Sequence, residues 1–534
     1  MVQKPLRLAA LLTALALLLT ACTAGKEGAD LSGVAPSAAD ASAGQPPEED
    51  AVLAFAPAPE AEPKPEPEPE PEPGPRLTPE DMEQALEQVM ERYSAAGVTV
   101  AAVENGQLSQ AGAWGWAVKG EREMTPDTKI RIASISKVAV AMCTMAMAED
   151  GLLELDAPIS AYWGSGAVNP YSKNQPTVQD FMTHTSSLKD LGTIRGLSSL
   201  RSLLQSKSSW RSMEPGDGGY WYYNNSAISI LGTTLELAAD QVLDDYLQER
   251  LLKPLGIRAS FYASRLEADE LANIYQGGSM GFSISQQRFG TYTEIGRSAA
   301  LYPGGFFVSA VDMAKLVSVL ANDGVYKKPV YTYYEITDAN EKKDVEYVMV
   351  ESQEAAPTDG KVEYVMVESQ EAGPTDGKVE YVMVESQETA PTDGKVEYVI
   401  VESQESSQKD NREGVEYIIA VPKEGEFEEL RLLSEESVEN IETPRFQVDL
   451  DDYTSFEQCL ILRRQENVLG QEVLYYHTGS AYGVYSLMTY NPVTRNGVVV
   501  ITTGTPRNMN KYGMYALCYD LMELLYEKME ADPR

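Results

Sequence analysis

Arg131-Ile132-Ala133-Ser134-Ile135-Ser136-Lys137 runs directly into the apolar stretch Val138–Met147. A serine at the start of a helix and a lysine three residues later share one helix face. The amine then eases deprotonation of the hydroxyl, and the helix N-terminus favours the negative charge that develops. A Ser-x-x-Lys tetrad is weak evidence by itself, because Ser186–Lys189 and Ser406–Lys409 have the same spacing. Context separates them. Ser186 follows His184-Thr185, which reads as a turn, and Ser406 sits in a polar stretch with no helix behind it.

Two further motifs follow in the chain. Tyr223-Asn224-Asn225 precedes the run Ser226–Gly232. A phenol beside a serine–lysine pair carries protons if a cation depresses its pKa, and an amide two residues on orients a substrate amide and bonds the lysine. His477-Thr478-Gly479-Ser480 follows the apolar run Val473–Tyr476 and precedes Tyr482–Met488. This pattern predicts an edge strand and its antiparallel neighbour, with Asn496-Gly497 as the next turn. Gly479 admits a substrate backbone close to the strand, and the N–H groups of Ser134 and Ser480 suit an oxyanion hole.

In this order the three motifs resemble those of the serine β-lactamase and penicillin-binding-protein superfamily, in its class C-like branch. Gly151–Asp156, Met182–Leu188, and Gly304–Ser309 with Asp312 resemble the same branch. The resemblance implies an α+β fold, an antiparallel sheet flanked by helices beside an all-helical lobe, with the cleft between them. It implies Ser134 as the acylated nucleophile, Lys137 as its activating partner and Tyr223 as general acid/base. Asn225 would position the substrate, His477 and Thr478 would bind its carboxylate or polar end, and the Ser480 N–H beside Gly479 would complete the oxyanion hole. His477 stands where lactamases of the branch usually carry lysine, and a neutral imidazole holds a carboxylate less strongly than an ammonium. Ser187 stands where the branch often has glycine. The resemblance gives His184 no catalytic role, so a structural role is expected, and Trp221 and Tyr222 read as cleft wall.

The chain of 534 residues carries a formal charge of −38. The acid is unevenly spread: residues 23–76 hold 12 acidic and 3 basic side chains, and 331–450 hold 31 and 10. The remainder is only mildly acidic. The charge argues against a nucleic-acid partner, since a polyphosphate needs basic neutralisation. Two histidines, His184 and His477, leave no multi-His metal site, and four cysteines build no disulfide scaffold. Acyl transfer of this kind needs neither metal nor organic cofactor. Cys143 and Cys518 lie in apolar helical patterns and are expected to pack in the core.

The N-terminus has Lys4 and Arg7, the apolar run Leu8–Leu19, and Leu19-Thr20-Ala21-Cys22. The run is too short to span a bilayer, and it resembles a bacterial lipoprotein signal over 1–22, with Cys22 as the lipidated residue. Residues 23–76, ending in the Pro-Glu alternation of Pro65–Pro73, read as an extended spacer. The catalytic body is then 77–330 and 446–534, interrupted by an acidic insert over 331–445. Within the insert, Asp344–Gly360, Lys361–Gly377 and Lys378–Gly394 are near-identical 17-residue units with a decayed fourth from Lys395. Their alternating Val-Glu-Tyr-Val-Met-Val runs and Pro-Thr-Asp-Gly signals predict short strands joined by turns, as in a meander.

The sequence thus predicts a lipid-anchored serine hydrolase on the outer face of a bacterial cell membrane. The expected substrate is a cell-wall peptide of the D-Ala-D-Ala type, cleaved by carboxypeptidase or endopeptidase action. A β-lactamase, an esterase or D-aminopeptidase, and a non-catalytic wall-binding or adhesion protein are the alternatives.

Overall fold

The computed structural model describes residues 88–336 and 417–531, apart from 90, 193, 277–281, 285–291 and 451–453, and three short strands between 337 and 416. The signal, Cys22 and the spacer lie outside the described residues.

A nine-stranded antiparallel sheet forms the frame. Its strands are β1 (Gly97–Glu104), β2 (Gln107–Val118), β3 (Arg122–Glu123), β4 (Phe446–Asp449), β5 (Ser455–Gln458), β6 (Arg463–Val468), β7 (Gln471–Ala481), β8 (Val484–Asn491) and β9 (Asn496–Thr503). Their order is β4-β5-β6-β7-β8-β9-β1-β2-β3, so an early strand and the last one pair at the centre, with Val98 opposite Thr502 and Val103 opposite Gly497. Val498–Ile501 is an unbroken apolar run because both faces of the sheet are covered. Val98, Val100, Val498 and Val500 pack with Leu521, Met522, Leu525 and Tyr526 of helix α5 (Ala516–Ala531). Ala101, Val103, Val499 and Ile501 face the larger core with α3 (Ala310–Ala321). The period of two along each strand makes this division.

Helix α1 (Ser136–Glu149) is buried from Ser136 through Met147, so an apolar residue suits every side of it. The helical lobe holds α2 (Asn225–Ala239), whose N-cap Asn224 accepts the Ala227 N–H at 2.9 Å. Cys143 and Cys518 are buried free thiols, as expected, and so is Cys459.

Three expectations shift. The strand carrying His477 is not at the edge, because β6 and then β5 and β4 lie outside it. Asn496-Gly497 is not the turn itself: Asn491 pairs with Asn496 and the chain reverses between them. Gly497 serves close packing instead, since a Cβ there would lie 2.8 Å from the Thr489 carbonyl oxygen. The insert is also smaller than its charge suggests. Helix α4 (Glu435–Glu442) buries Val438 and Ile441 in the main core with Leu432 and Leu433, so 432–445 packs with the body.

The insert springs from a two-stranded ribbon, Val325–Ile336 against Tyr417–Arg431, with Ile336 opposite Tyr417. Val348–Met349 adds to one side of the ribbon, and Val399–Val401 followed by Glu363–Tyr364 to the other. These strands come from the first, fourth and second repeats, so the repeats do not lie in chain order as a meander would. The third lies outside the described residues.

Candidate active site

Ser134 sits on a short 3₁₀ turn, Ala133–Ile135, that feeds α1. Ala133 has φ +55°, a left-handed conformation costly for a residue with a Cβ. Its surroundings hold it there. Ser136 Oγ donates to the Ala133 carbonyl at 2.6 Å and accepts the Phe306 N–H at 3.1 Å. Ser486 Oγ, from β8, donates to the Ile132 carbonyl at 2.7 Å. The turn pushes Ser134 out half-exposed while its neighbours are buried. Ser136 and Ser486 were not singled out by the sequence, because their work is done on backbone groups.

Lys137 is fully buried. Its Nζ lies 3.0 Å from Ser134 Oγ, 3.0 Å from Asn225 Oδ1 and 2.6 Å from the Pro303 carbonyl oxygen. Burial, reinforced by the charge of Arg463, pushes its pKa well down, with Asp190 opposing. A neutral amine has two N–H groups and one lone pair. Asn225 Oδ1 and Pro303 O can only accept, so they take the two N–H groups, and the lone pair is left for the Ser134 hydroxyl. The geometry is that of a base aimed at Ser134.

Tyr223 also reaches Ser134, through a side-chain hydrogen bond, and its ring lies 4.9 Å from Lys137 Nζ. The condition that a cation depress the phenol is not met. Burial pushes Tyr223 up to about 12, and the Ser134 bond and Arg463 offset this only partly. Tyr223 therefore keeps its proton in the resting site, and Lys137, pushed toward the neutral amine, is the group positioned to offer a lone pair.

His477, on β7, is buried, with its ring centroid 6.5 Å from that of Tyr223. Burial, Arg463 and Lys137 all hold its pKa well below the usual histidine value. Its Nδ1 donates to the Thr478 carbonyl at 2.7 Å, so the neutral ring presents Nε2 as an acceptor. Gly479 is where β7 passes Ser134. A Cβ there would lie 2.7 Å from the Ile132 carbonyl oxygen and 3.1 Å from the Ser134 nitrogen. Thr478 is half-exposed beside it. The Ser480 hydroxyl bonds Tyr515 on the α5 side of the sheet. Ser134, Lys137, Tyr223, Asn225 and His477 are thus assembled from α1, α2, β7 and the segments before them.

His184 supports the site without entering it. Its ring packs against Tyr223 at a centroid distance of 4.6 Å, and its Nδ1 accepts the N–H of Asn224, the cap of α2, at 3.3 Å. Trp221 is half-buried, edge-on to Phe456, and bonds Gln458, whereas Tyr222 is exposed under the Arg211 guanidinium. Ser187 has φ +59°, the region that favours glycine, and its Oγ accepts from Asn169 Nδ2 at 2.8 Å.

Arg463 is the member of the site that the sequence did not reveal. It opens β6, opposite Tyr476, and its guanidinium lies 4.4 Å from the Phe456 ring centroid and 5.8 Å from that of Tyr223. Among the described residues no carboxylate lies within ion-pair distance of it, while the adjacent Arg464 is paired with Glu457 and Glu466. Its charge depresses Lys137, His184, His477 and Tyr223 together. Beside a neutral imidazole it is a permanent cation at the cleft.

Residues 82–335 match the family model described as Beta-lactamase. That stretch, a little under half of the chain, is thus similar to the β-lactamase/transpeptidase-like superfamily. Its fold is similar to that of the octameric penicillin-binding protein homologue from Pyrococcus abyssi, with a TM-score of 0.53 and 18% identity over 84% of this chain and 77% of that one. It is similar also to the β-lactamase/D-alanine carboxypeptidase from Yersinia pestis, with a TM-score of 0.51 and 16% identity over 84% of this chain and 98% of that one. A D-aminopeptidase from Brucella anthropi is 27% identical over 235 residues, 41% of this chain and 43% of that protein. The chain therefore spans less than half the length of that curated relative.

Proposed function

We propose that this chain is a serine hydrolase of the β-lactamase/transpeptidase-like superfamily that cleaves an amide or ester through an acyl-enzyme on Ser134. The observation that carries the reading is the set of contacts at Lys137 Nζ: two fixed acceptors and the Ser134 hydroxyl, around an amine whose burial favours the neutral form. Lys137 takes the Ser134 proton as Oγ attacks the carbonyl. Tyr223, protonated and bonded to Ser134, delivers a proton to the leaving group and regains one from Lys137. The Ser134 and Ser480 N–H groups receive the oxyanion. Water then attacks the ester and restores Ser134.

The substrate class follows from charge. A buried neutral His477 and an Arg463 with no carboxylate partner among the described residues suit a substrate that ends in a carboxylate, held by guanidinium and imidazole together. A peptide of cell-wall material with a free C-terminus fits, which favours D,D-carboxypeptidase action. The Yersinia pestis neighbour is described as a β-lactamase/D-alanine carboxypeptidase, and the Brucella anthropi relative as a D-aminopeptidase. Aminopeptidase action needs an anion for the substrate ammonium. Asp190, the acid electrostatically coupled to Lys137, is already engaged by Ser226 and Gly192. The reading includes an anchor at Cys22 that keeps the enzyme at the outer membrane face, supported by the lipoprotein-like run before it.

The test is to incubate the purified protein with a fluorescent penicillin and with a D-Ala-D-Ala peptide, next to Ser134→Ala. Covalent label on the wild type alone, with slow release and free D-alanine from the peptide, is expected. Rapid release of ring-opened penicillin with no peptide turnover would make the protein a β-lactamase instead. No label and no turnover of any D-peptide or ester would end the hydrolase reading.

A further inference from the structure

The acyl transfer makes no use of the buried carboxylate of Glu236, yet that residue lies on the helix that serves Lys137. Helix α2 begins at Asn225, the amide acceptor for Nζ, and carries Glu236 three turns on. Glu236 is fully buried and ringed by donors. The Tyr302 hydroxyl donates to its Oε1, the Gly296 N–H to its Oε2 at 2.7 Å, and the Leu243 N–H to its Oε1 at 3.4 Å.

Tyr302 is held twice by α2. Besides its bond to Glu236, its ring lies on Gly232, where a Cβ would meet ring carbon Cδ2 at 2.2 Å. The next residue is Pro303, whose carbonyl oxygen is 2.6 Å from Lys137 Nζ, and then Gly304, against the Ala133 backbone. Both acceptors that fix the amine thus trace to one helix, Asn225 directly and Pro303 through Tyr302. Tyr262 and Asp244 face the same pocket, but Tyr262 is bonded to Ser298 at 2.5 Å and Asp244 is paired with Arg265 at 2.7 Å. Neither takes the Tyr302 hydroxyl.

We infer that Glu236 is a positioning residue for the Ser134–Lys137 pair: its hydrogen bond to Tyr302 sets the Pro303 carbonyl, and so the direction of the Lys137 lone pair. The inference rests on the acyl-enzyme reading for its kinetic consequence. An amine with two aligned acceptors has one direction left for its lone pair. When Pro303 drifts, Nζ rotates and the lone pair leaves the Ser134 hydroxyl, with the substrate contacts at His477 and Arg463 untouched.

The test uses the full chain and a fluorescent penicillin, with Ser134→Ala as the blank. It reads the limiting acylation rate and the probe concentration at half that rate. Tyr302→Phe, which keeps the ring on Gly232, is expected to lower the limiting rate about tenfold or more with half-saturation changed less than about twofold. Glu236→Ala should do the same. Glu236→Gln can accept the Gly296 N–H and donate to the Tyr302 oxygen, losing only the longer Leu243 N–H contact, so it should keep clearly more of the wild-type rate than Glu236→Ala. A wild-type limiting rate in Tyr302→Phe, or a loss seen only in half-saturation, overturns the inference, as does an equal loss in Glu236→Gln and Glu236→Ala. The ¹³Cε NMR signal of Lys137 gives a readout that needs no acylation, and it should move on Tyr302→Phe. A signal that stays put overturns the inference even if the probe labels Ser134. A signal that moves while Ser134 is never labelled upholds the positioning and removes only the hydrolase reading.

Discussion

At neutral pH an exposed lysine is protonated and has no lone pair to offer a hydroxyl. Lys137 is shifted toward the neutral amine because burial and the Arg463 charge both disfavour its ammonium. Since its folded pKa is lowered, the neutral amine appears as pH rises through that lowered value, well before an ordinary lysine would titrate. The acylation rate should therefore climb on a limb lying well below 10.5, measured as limiting rate against pH. In the window between the lowered value and 10.5 the unfolded chain binds the extra proton, so folding stability rises with pH across it. Removing the base altogether, in Lys137→Ala, should cut the limiting rate by about 10²–10⁴-fold. Arg463 has a separable task. Arg463→Gln should raise KM for a substrate with a free carboxylate about tenfold or more. The KM for an ester lacking that group should hardly move. Equal effects on the two substrates would remove Arg463 from carboxylate recognition.

The elements explain why some of this site is readable in the sequence and some is not. Ser134 and Lys137 are tied by helix spacing, and Tyr223 with Asn225 by the cap and first residue of α2, so local rules place each pair. His477 and Gly479 fall on an alternating strand next to a turn. Arg463 heads a strand whose sequence, Arg-Arg-Gln-Glu-Asn-Val, reads as polar surface, and only the pairing of β6 with β7 brings it to the cleft. The Tyr223 pKa is not legible for a related reason: spacing shows the neighbouring cation but not the burial that outweighs it. The close passage of β7 over the Ser134 turn gives an element-scale prediction. Gly479→Ala would set a Cβ 2.1 Å from Ser486 Oγ as well as 2.7 Å from the Ile132 carbonyl. The strand must retreat, at a cost of about 1–3 kcal/mol. A lower Tm together with loss of Ser134 labelling is expected, and labelling at the wild-type rate would show that β7 does not set the oxyanion geometry.

At the scale of the whole molecule, the question is where the body ends and the repeats begin. Charge counting drew that border at 331–445, because the glutamates of α4 resemble those of the repeats. Packing draws it elsewhere. Leu432, Leu433, Val438 and Ile441 are in the main core, Ser437 Oγ donates to Glu149, and Tyr490 donates to Glu442 at 2.8 Å. Two deletions separate these borders. Ile336 and Tyr417 stand opposite each other in the ribbon, so an Asn-Gly turn in place of 337–416 closes it in the geometry that antiparallel strands prefer. That variant should keep the Tm of the full chain within a few degrees and label at Ser134 at the wild-type rate. Deleting 331–445 removes four buried apolar side chains, each worth about 2–5 kcal/mol when truncated, and opens the core beneath α1. It should yield little folded protein. Loss of labelling in the 337–416 deletion, with its fold intact by circular dichroism, would mean that the repeats reach the cleft and take part in substrate binding. An unchanged rate leaves them as an accessory carried on a ribbon away from the chemistry.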